Sequence, residues 1–297
     1  MKKLLITGQN SYIGTSFEQW VKEKCPKEIS IDTINLHDPD WQEKSFACYD
    51  SIFHVAGIAH VDKDKISPKK KAMYYSVNRD LVIDAAAKAK AEGVRQFVFM
   101  SSMIVYGVSA PVEFGKHITK TTRPAPGSCY GYSKLQAELA IQEMADENFT
   151  VSIIRSPMVY GKGCKGNYRL LSFIARHAPF FPDYKNERSM IYIENLCALV
   201  QHLILNEVGG VFFPQNSEYV TTSDMVRQIA KARGHKIYIN SSLNWMVNLG
   251  FRLPGFIHEK TDKAFRNMTY EKNISTYDFE YRVVDFETSI EKIEGKK

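Results

Sequence analysis

A short apolar run that ends in a glycine-containing turn constrains the fold of this chain more than any other feature. The run Leu4-Leu5-Ile6 is followed by Thr7-Gly8-Gln9-Asn10-Ser11-Tyr12-Ile13-Gly14. In a doubly wound sheet, the first strand-to-helix turn holds a pyrophosphate on helix N-terminal amides, and glycine is needed where backbone and phosphate approach closely. Gly8 and Gly14 fit those positions, and Ser11 stands where glycine is usual. The alternative is an ordinary strand–turn–helix unit that contains two glycines.

Short β-rich runs alternate with helical patterns through the first two-thirds of the chain. This alternation predicts an α/β fold with a Rossmann-type doubly wound parallel sheet. The predicted strands are Lys3–Thr7, Ile29–Leu36, Ser51–Ala56, Gln96–Ser101 and Val151–Arg155, and the predicted helices are Tyr12–Lys24, Ala72–Ala91, Tyr132–Ala145, Leu170–His177 and Glu194–Leu205. We assign residues 1–160 to a dinucleotide-binding domain, to which 186–215 return, and residues 161–185 and 216–297 to a smaller C-terminal substrate-binding lobe.

The composition narrows the class of protein. The net charge of +6 suits an acidic ligand, and without an aromatic-interleaved basic stripe we expect no nucleic-acid partner. No run approaches the ~18 apolar residues of a membrane span, so we expect no integral membrane segment. Five scattered cysteines without a Cys-x-x-Cys pair favour the reducing cytoplasm. His54 and His60 match no zinc-site spacing, so we expect no metal.

One aromatic segment has two interpretations. Leu243–Ile257 is amphipathic and contains Trp245, Met246, Phe251 and Phe256. A helix packed beneath a lobe gives this pattern, and so does a helix that lies on a membrane surface. The sequence favours the packed helix and leaves the second reading open.

Three side chains downstream of the turn form a set that can transfer protons. Tyr130 and Lys134 make the only Tyr-x-x-x-Lys match in the chain, and their i, i+4 spacing places them on one helix face. A free phenol has a pKa of about 10, and an adjacent ammonium lowers that pKa by stabilising the phenolate. Ser102, at the end of a predicted strand, can hydrogen-bond the reacting oxygen. Together they can serve a sugar or alcohol oxygen while a nicotinamide exchanges hydride. For Tyr130 alone, a loop tyrosine that caps the helix is the alternative.

The end of the second predicted strand distinguishes NAD from NADP. An acid there accepts from the 2′-hydroxyl of the adenine ribose, whereas Lys or Arg pairs with a 2′-phosphate. Asp32 lies 18 residues after Gly14, Asp38 follows, and no Lys or Arg occurs between Ile29 and Gln42. The sequence therefore favours NAD over NADP, with Asp32 as the candidate contact and Asp38 as the alternative.

Five motifs occur in a characteristic order. They are Thr7-Gly8-x-x-Ser11-Tyr12-Ile13-Gly14, Phe53-His54-Val55-Ala56-Gly57, Val77-Asn78, Ser101-Ser102-Met103-Ile104-Val105-Tyr106-Gly107 and Tyr130-Gly131-Tyr132-Ser133-Lys134. In these motifs the chain resembles the extended short-chain dehydrogenase/reductases, specifically the NAD-dependent nucleotide-sugar epimerase/dehydratase group that includes UDP-glucose 4-epimerases. The resemblance covers about residues 1–200, and it is more specific for fold and cofactor than for the sugar.

The resemblance implies a role for individual residues. Ser102, Tyr130 and Lys134 become the catalytic trio. With Asp32 from the preceding argument, the cofactor contacts are Gly8, Ser11, Tyr12, Ile13, Gly14, Asp32, Ala56, Gly57, Asn78, Tyr130, Lys134, Pro157 and Met158. Arg188 and Asn167 resemble contacts to the diphosphate of a sugar nucleotide, a task that suits a guanidinium fork. A surface ion pair is the alternative for Arg188. Phe180 and Phe181 flank the uracil or belong to the core, and Ser102 also contacts the substrate.

The activity that the resemblance implies is NAD-dependent epimerisation at C4 of a UDP-hexose through a 4-keto intermediate. An NAD(P)H-dependent 4-keto reductase of a UDP-6-deoxy-sugar and a non-enzymatic dinucleotide-sensing protein are the alternatives. Dehydratases of the group carry an Asp-Glu pair where this chain has Met103 and Ile104, so we expect no dehydration. Relatives often dimerise through two helices, and the run Ala85-Ala86-Ala87 permits close helix approach, so we expect a homodimer.

Overall fold

The computed structural model describes residues 1–58, 67–107 and 116–295. Its strands, in chain order, are β1 (Lys2–Thr7), β2 (Ile29–Ile34), β3 (Ser51–His54), β4 (Gln96–Ser102), β5 (Lys116–Ile118), β6 (Thr150–Ser156), β7 (Met158–Tyr160), β8 (Phe180–Pro182), β9 (Met190–Tyr192), β10 (Gly210–Phe212), β11 (Tyr238–Asn240) and β12 (Met268–Tyr270). Its α-helices are α1 (Tyr12–Lys24), α2 (Pro68–Tyr75), α3 (Leu81–Ala91), α4 (Cys129–Gln142), α5 (Asn167–His177), α6 (Ile193–Leu205), α7 (Thr222–Arg233), α8 (Asn244–Arg252), α9 (Phe256–Phe265) and α10 (Phe286–Glu294).

Six parallel strands form the central sheet, in the order β10-β6-β4-β3-β1-β2. The predicted doubly wound α/β fold is confirmed. The chain passes from β1 outwards to β2 and then returns to the other side of β1 as β3, so the strand order reverses between β1 and β3. In open α/β sheets, ligands bind at the carboxyl ends of the strands at such a switch point. The loops that follow β1 and β3 therefore face one crevice.

Helices cover both faces of the sheet. Helices α1 and α6 pack together on one face, where Phe17 and Leu199 are buried. On the other face, α3 and α4 bury Ala85, Ala86 and Ala137 with the aromatic side chains of β4. Because Ala85 and Ala86 face this chain's own sheet, the expectation that this alanine run allows close approach between subunits is wrong for those two residues.

The predicted helix Ala72–Ala91 is interrupted by a turn with π-helical hydrogen bonding. The helix begins earlier than predicted, because Pro68 is its first residue and the Ser67 hydroxyl accepts from the amide of Lys70 at 3.3 Å. The π-helical turn Ser76–Asp80 then joins α2 to α3. Such turns are rare in proteins, and those that do occur often lie at functional sites. Here the turn directs two consecutive side chains, Val77 and Asn78, into the interior.

Short elements build the C-terminal part around three two-stranded parallel pairs, β11–β8, β12–β5 and β7–β9. Helices α8 and α9 pack on each other. They approach so closely at Gly250 that a Cβ added there would lie 2.3 Å from the Thr261 hydroxyl. Within residues 1–58, 67–107 and 116–295, no helix is long and apolar enough to cross a membrane.

Candidate active site

The turn between β1 and α1 approaches the β3 loop so closely that it requires glycine. Gly8 has a φ of +102°, and a Cβ there would lie 2.7 Å from the backbone nitrogen of Ala56. Ser11, which replaces the usual glycine, is the N-cap of α1, and its hydroxyl accepts from the amide of Gly14 at 3.1 Å. The turn thus has no side chain at Gly8, beside the N–H groups at the start of α1 that have no partner within the helix. These features fit a dinucleotide pyrophosphate.

Asn78 fixes the loop that follows β3. Its side-chain oxygen accepts from the amide of Ile58 at 2.8 Å, and its side-chain nitrogen donates to the carbonyl of Ile58 at 3.1 Å. Asn78 is fully buried, and both ends of its amide are used in this way. The structure therefore gives Asn78 a positioning contact to the loop that carries Ala56 and Gly57. A Cβ at Gly57 would lie 3.1 Å from Asn78 and 3.3 Å from the Lys134 ammonium. Glycine at this position therefore leaves room for Asn78 and Lys134 in the crevice.

The structure brings Ser102, Tyr130 and Lys134 together. Ser102 ends β4, and its hydroxyl lies close enough to the phenol of Tyr130, in the first turn of α4, to affect the pKa of that phenol. Ser128 caps that helix by accepting from the amide of Gly131 at 3.2 Å. One turn later, the Lys134 ammonium donates to the carbonyl of Met100 at 2.8 Å. The trio therefore joins the carboxyl end of β4 to the start of α4.

Burial sets the pKa values of this trio. Burial raises the pKa of Tyr130 to about 12, although the Ser102 hydroxyl opposes that shift. Burial also lowers the pKa of Lys134 to about 7, against the opposing charge of Glu138. The expectation that the ammonium lowers the pKa of Tyr130 is wrong for this arrangement of the side chains. The physical reason is that burial outweighs the other effects and that Lys134 donates to the Met100 carbonyl.

A buried ion pair lies behind the trio and was missed by sequence reasoning. Glu138, on α4, accepts from the Arg155 guanidinium at 3.0 and 2.7 Å and also from the hydroxyl of Ser101. Arg155 donates further to the phenol of Tyr106 at 2.6 Å. The available signal was an acid at i+4 from Lys134 on an otherwise apolar helix face.

A cavity of about 250 Å³ opens beside Ser102. Four other predicted site residues line it, namely Pro157, Met158, Asn167 and Arg188. The wall opposite β4 comes from the end of α9 and the residues after it, which sequence reasoning missed: Asp262, Lys263, Arg266 and Met268. Met103 and Ile104 also line the cavity.

Three cationic side chains make the far wall basic. Arg188 donates to the carbonyl of Arg266 at 3.0 Å, and burial lowers its pKa to about 10, so its guanidinium keeps its charge at neutral pH. The Asn167 amide donates to the carbonyl of Lys263 at 3.1 Å. Arg266 is paired with Asp262, whereas Lys263 adds a further charge. The wall suits an anionic group such as a diphosphate.

Two predicted contacts lie elsewhere. Phe181 is buried and stacks on Phe265 with ring centroids 5.9 Å apart, and it does not line the cavity. Asp32 lies within β2 rather than at its end, and its carboxylate accepts from the Tyr49 phenol at 3.0 Å. Beyond the end of β2, the amide of Asn35 donates to Asp38 at 2.7 Å.

His54 is enclosed by aromatic rings. The ring centroids of Phe97 and Phe99 lie 5.7 and 5.8 Å from that of His54, and burial lowers its pKa to about 3. His60 lies outside the described residues. Among the described residues, no group of three or more His, Cys, Asp or Glu side chains is arranged to hold a metal ion.

Comparison with known proteins identifies the family. Residues 4–212 match the NAD dependent epimerase/dehydratase family. The chain belongs to this family. A UDP-glucose 4-epimerase of Vibrio cholerae is 33% identical over 252 residues, which cover 78% of this chain and 76% of that protein.

The chain is also similar to other proteins at lower identity. In Escherichia coli O157:H7, an N-acetyl-alpha-D-glucosaminyl-diphospho-ditrans,octacis-undecaprenol 4-epimerase is 26% identical over 253 residues, 79% of this chain and 73% of that protein. The solved structure of a Helicobacter pylori ADP-L-glycero-D-manno-heptose-6-epimerase has a TM-score of 0.70 at 16% identity, covering 98% of this chain and 94% of that one. A human epimerase family protein with NADPH has a TM-score of 0.73 at 14% identity, covering 98% and 99%. At such identities the two structures show the fold alone.

Proposed function

We propose that this chain epimerises C4 of a UDP-hexose through a 4-keto intermediate, with bound NAD. The observation that carries the proposal is that Ser102 lies beside Tyr130 and also lines the cavity whose far wall is cationic. A cavity lined by Ser102, which lies beside the phenol of Tyr130, and by a basic wall suits a sugar that is joined to a diphosphate. The similarity to the Vibrio cholerae UDP-glucose 4-epimerase supports the same reaction.

In this proposal, the crevice between β1 and β3 holds the dinucleotide. The residues that hold it are Gly8, Ser11, Tyr12, Ile13 and Gly14 at the pyrophosphate, Ala56 and Gly57 at the adenosine half, and Pro157 and Met158 at the nicotinamide. Asn78 acts indirectly, through its hydrogen bonds to Ile58. Asn35 and Asp38 replace Asp32 as candidates for the adenine ribose, because they follow the end of β2. When bound, the nicotinamide supplies an acceptor and donor of hydride.

Tyr130 carries the proton in this mechanism. Its phenolate form takes the proton of the sugar 4-hydroxyl and becomes the phenol, which later returns that proton, while the Ser102 hydroxyl hydrogen-bonds the same sugar oxygen. A phenol with a pKa of about 12 is mostly protonated at neutral pH. Turning the Lys134 ammonium from the Met100 carbonyl towards the phenol would lower the pKa of Tyr130. In this mechanism the charged form of Lys134, which is about half populated at neutral pH, stabilises the phenolate, and Tyr130 moves the proton.

Arg188 and Asn167 bind the diphosphate of the substrate in this proposal, together with Lys263 and Arg266. The relative in Escherichia coli O157:H7 is by name an epimerase of a polyprenol diphosphate sugar. A diphosphate is common to that molecule and to a UDP-sugar, and the basic wall suits either one. Phe181, which is stacked on Phe265 in the core, remains a candidate uracil neighbour on the sequence argument alone.

A second candidate activity is the NAD(P)H-dependent reduction of a UDP-4-keto-6-deoxy-sugar. The observation that favours it is the small cavity of about 250 Å³, because an epimerase needs room for the keto sugar to turn over. The residues of the trio would be the same. The difference lies in whether the cofactor is regenerated within each cycle or exchanged.

The proposal assigns dinucleotide binding and substrate binding to different parts of the chain. Residues 1–160 with 186–215 bind the dinucleotide, and 161–185 with 216–297 form the substrate lobe. This arrangement is supported by β10, which joins the central sheet beside β6, and by the cavity wall from α9. We also propose that the chain forms a homodimer. We propose further that the reaction takes place in the reducing cytoplasm, and the five free thiols support this location.

Product analysis separates the two activities. The purified protein is incubated without added cofactor with UDP-galactose and, separately, with UDP-N-acetylgalactosamine, and the C4 epimers are separated by chromatography. Conversion of either sugar supports the epimerase. Absence of conversion with NAD added, together with oxidation of NAD(P)H on a UDP-4-keto-6-deoxy-sugar, would establish the reductase instead.

A further inference from the structure

Helices α8 and α9 expose a set of large apolar side chains. We call these the hairpin surface and define it as Trp245, Met246, Leu249, Phe256 and Ile257. Trp245 is 60% exposed and Phe256 is 72% exposed. The expectation that this segment packs beneath a lobe is therefore wrong for Trp245, Met246 and Phe256, whereas Phe251 is partly buried.

The packing of the two helices explains why this face is left outside. In α8, only Val247 and Gly250 are buried, and Gly250 lies directly against Thr261 of α9. The ring of His258 is bonded to the carbonyl of Phe251 at 2.9 Å, which ties the two helices together. Trp245 and Leu249 are separated by one helical turn and share the opposite face. The contact between the helices thus uses the small residues and leaves Trp245 and Phe256 in solvent, whereas Phe251 packs near Tyr184.

The charge around the hairpin surface is mostly positive, although Glu259 lies between Ile257 and Lys260 in α9. Residues 236–258 contain no Asp or Glu. Lys236, Arg252 and Lys260 are exposed in and beside this segment, and the Lys260 ammonium lies 5.1 Å from the ring centroid of Phe256. Aromatic side chains with an excess of Lys and Arg around them are typical of helices that lie in the headgroup region of anionic bilayers.

The same charges argue against self-association through this surface. In a twofold symmetric dimer the same patch meets itself, so the mostly basic edges of the two copies would be brought together. Like charges brought together in this way oppose association. An anionic lipid surface, in contrast, complements both the apolar centre and the basic edge.

The hairpin surface is continuous with the candidate active site through α9. Ile257 belongs to the surface, whereas Lys263 lines the cavity. Six residues separate them, which is about 9 Å along a helix axis. A protein seated on a membrane by this surface would therefore hold its basic cavity wall close to the lipid headgroups.

We propose that the hairpin surface binds the face of an anionic lipid bilayer, with Trp245 and Phe256 inserted among the headgroups. The binding goes beyond the proposed function and does not depend on turnover. It makes this chain a peripheral membrane protein whose cavity is presented to the bilayer.

Sedimentation with vesicles tests the proposal. The full chain is mixed with vesicles of phosphatidylglycerol and phosphatidylcholine in about equal amounts, and with vesicles of phosphatidylcholine alone. We expect binding to the anionic vesicles, and a loss of at least about tenfold in affinity for the double variant Trp245→Ser/Phe256→Ser. The matched control is Phe173→Ser on α5, where Phe173 is 61% exposed, and we expect it to bind like the wild type. Arg252→Gln/Lys260→Gln should weaken the binding and reduce its salt dependence.

Three results would overturn the proposal. They are the absence of binding to anionic vesicles, equal binding by the Trp245→Ser/Phe256→Ser variant, and a change in that variant's mass by light scattering without a change in vesicle binding. The last result would make the hairpin surface a contact between subunits. Thermal unfolding of each variant checks that it folds, and turnover of a soluble UDP-sugar is measured separately, so that failure of the membrane proposal leaves the enzymatic one intact.

Discussion

Glu138 and Arg155 form a buried ion pair directly behind the candidate catalytic trio. Two guanidinium nitrogens of Arg155 donate to one carboxylate oxygen of Glu138, at 3.0 and 2.7 Å. Glu138 also lies one helical turn after Lys134, and its charge raises the pKa of that ammonium against the effect of burial. One side chain therefore serves the core and the site together.

Replacing Glu138 by Gln should destabilise the protein and alter Lys134. The change leaves the Arg155 guanidinium buried without its partner, which costs about 3–5 kcal/mol in comparable pairs. It also removes the charge that favours the ammonium, so the pKa of Lys134 falls further. Urea unfolding measures the first effect, and the pH profile of turnover measures the second. Glu143→Gln, an exposed site just beyond α4, is the control. Equal stabilities of the two variants would contradict the prediction.

His54 should make the protein less stable in acid. Burial lowers its folded pKa from 6.5 to about 3, so the unfolded chain takes up a proton that the folded chain does not. Stability contributed by neutral His54 is therefore complete above pH 6.5 and is lost as the pH falls towards 3. We expect the wild type to lose about 2–3 kcal/mol more than His54→Phe between pH 6 and pH 4. Denaturant unfolding at several pH values checks this, with the exposed His37→Phe as control. Parallel losses in all three proteins would refute the assignment.

Gly8→Ala should damage dinucleotide binding more than it damages the fold. Its new Cβ would meet the Ala56 backbone at 2.7 Å, in addition to the strain of a φ of +102°. Gly93→Ala is a suitable control, because Gly93 has a φ of +80° and nothing within 4 Å of the added atom. Each variant carries the backbone strain of about 1–3 kcal/mol. Titration calorimetry with NAD should show at least about a tenfold weaker Kd for Gly8→Ala only. Similar Kd values for both variants would place the dinucleotide elsewhere.

Tyr130→Phe should abolish most turnover and leave cofactor affinity almost unchanged. The ring remains in place, but the proton that the phenol transfers is gone, and such groups contribute about 10²–10⁴-fold. Initial rates and the Kd for NAD are measured on the same preparation. Tyr132→Phe, at an exposed position two residues later, is expected to keep its rate. If Tyr130→Phe retains more than about a tenth of the wild-type rate, another group acts as the acid and base.

The homodimer should use α4 and its neighbour α3. Leu139 is an exposed large apolar residue on α4, unlike the buried Ala85 and Ala86 of α3. Light scattering of the wild type should give twice the chain mass of 34.0 kDa. Leu139→Asp should reduce that mass towards the monomer, whereas Phe173→Ser should not. A wild-type mass of one chain would rule out the dimer.

The fold could be predicted from the sequence more fully than the basic wall of the cavity. Helix α1 was predicted with its observed bounds, Tyr12–Lys24, because a Ser N-cap and a helical apolar period coincide there. The end of β2 was placed too late, since Ile34 and Leu36 continue the alternation of a strand. The chain leaves the strand at Asn35, whose side chain accepts from the amide of His37 and donates to Asp38.

Lys263 and Arg266 could not be found from the sequence for a different reason. They lie far along the chain from Ser102, Lys263 in α9 and Arg266 directly after it, where the charged residues look like an ordinary solvated face. Only the packing of α9 against the rest of the lobe brings them to the cavity. Positions that depend on such long-range packing carry no local signal, whereas turns and caps do.

The π-helical turn at Ser76–Asp80 has a consequence for anyone who redesigns this protein. A regular α-helix through the same stretch would satisfy every local preference, and deleting one residue would produce it. Each residue of an α-helix advances the direction of a side chain by about 100°. That deletion would turn Asn78 away from Ile58 and release the loop that it anchors. A more regular helix would therefore cost the protein the contact that positions this loop.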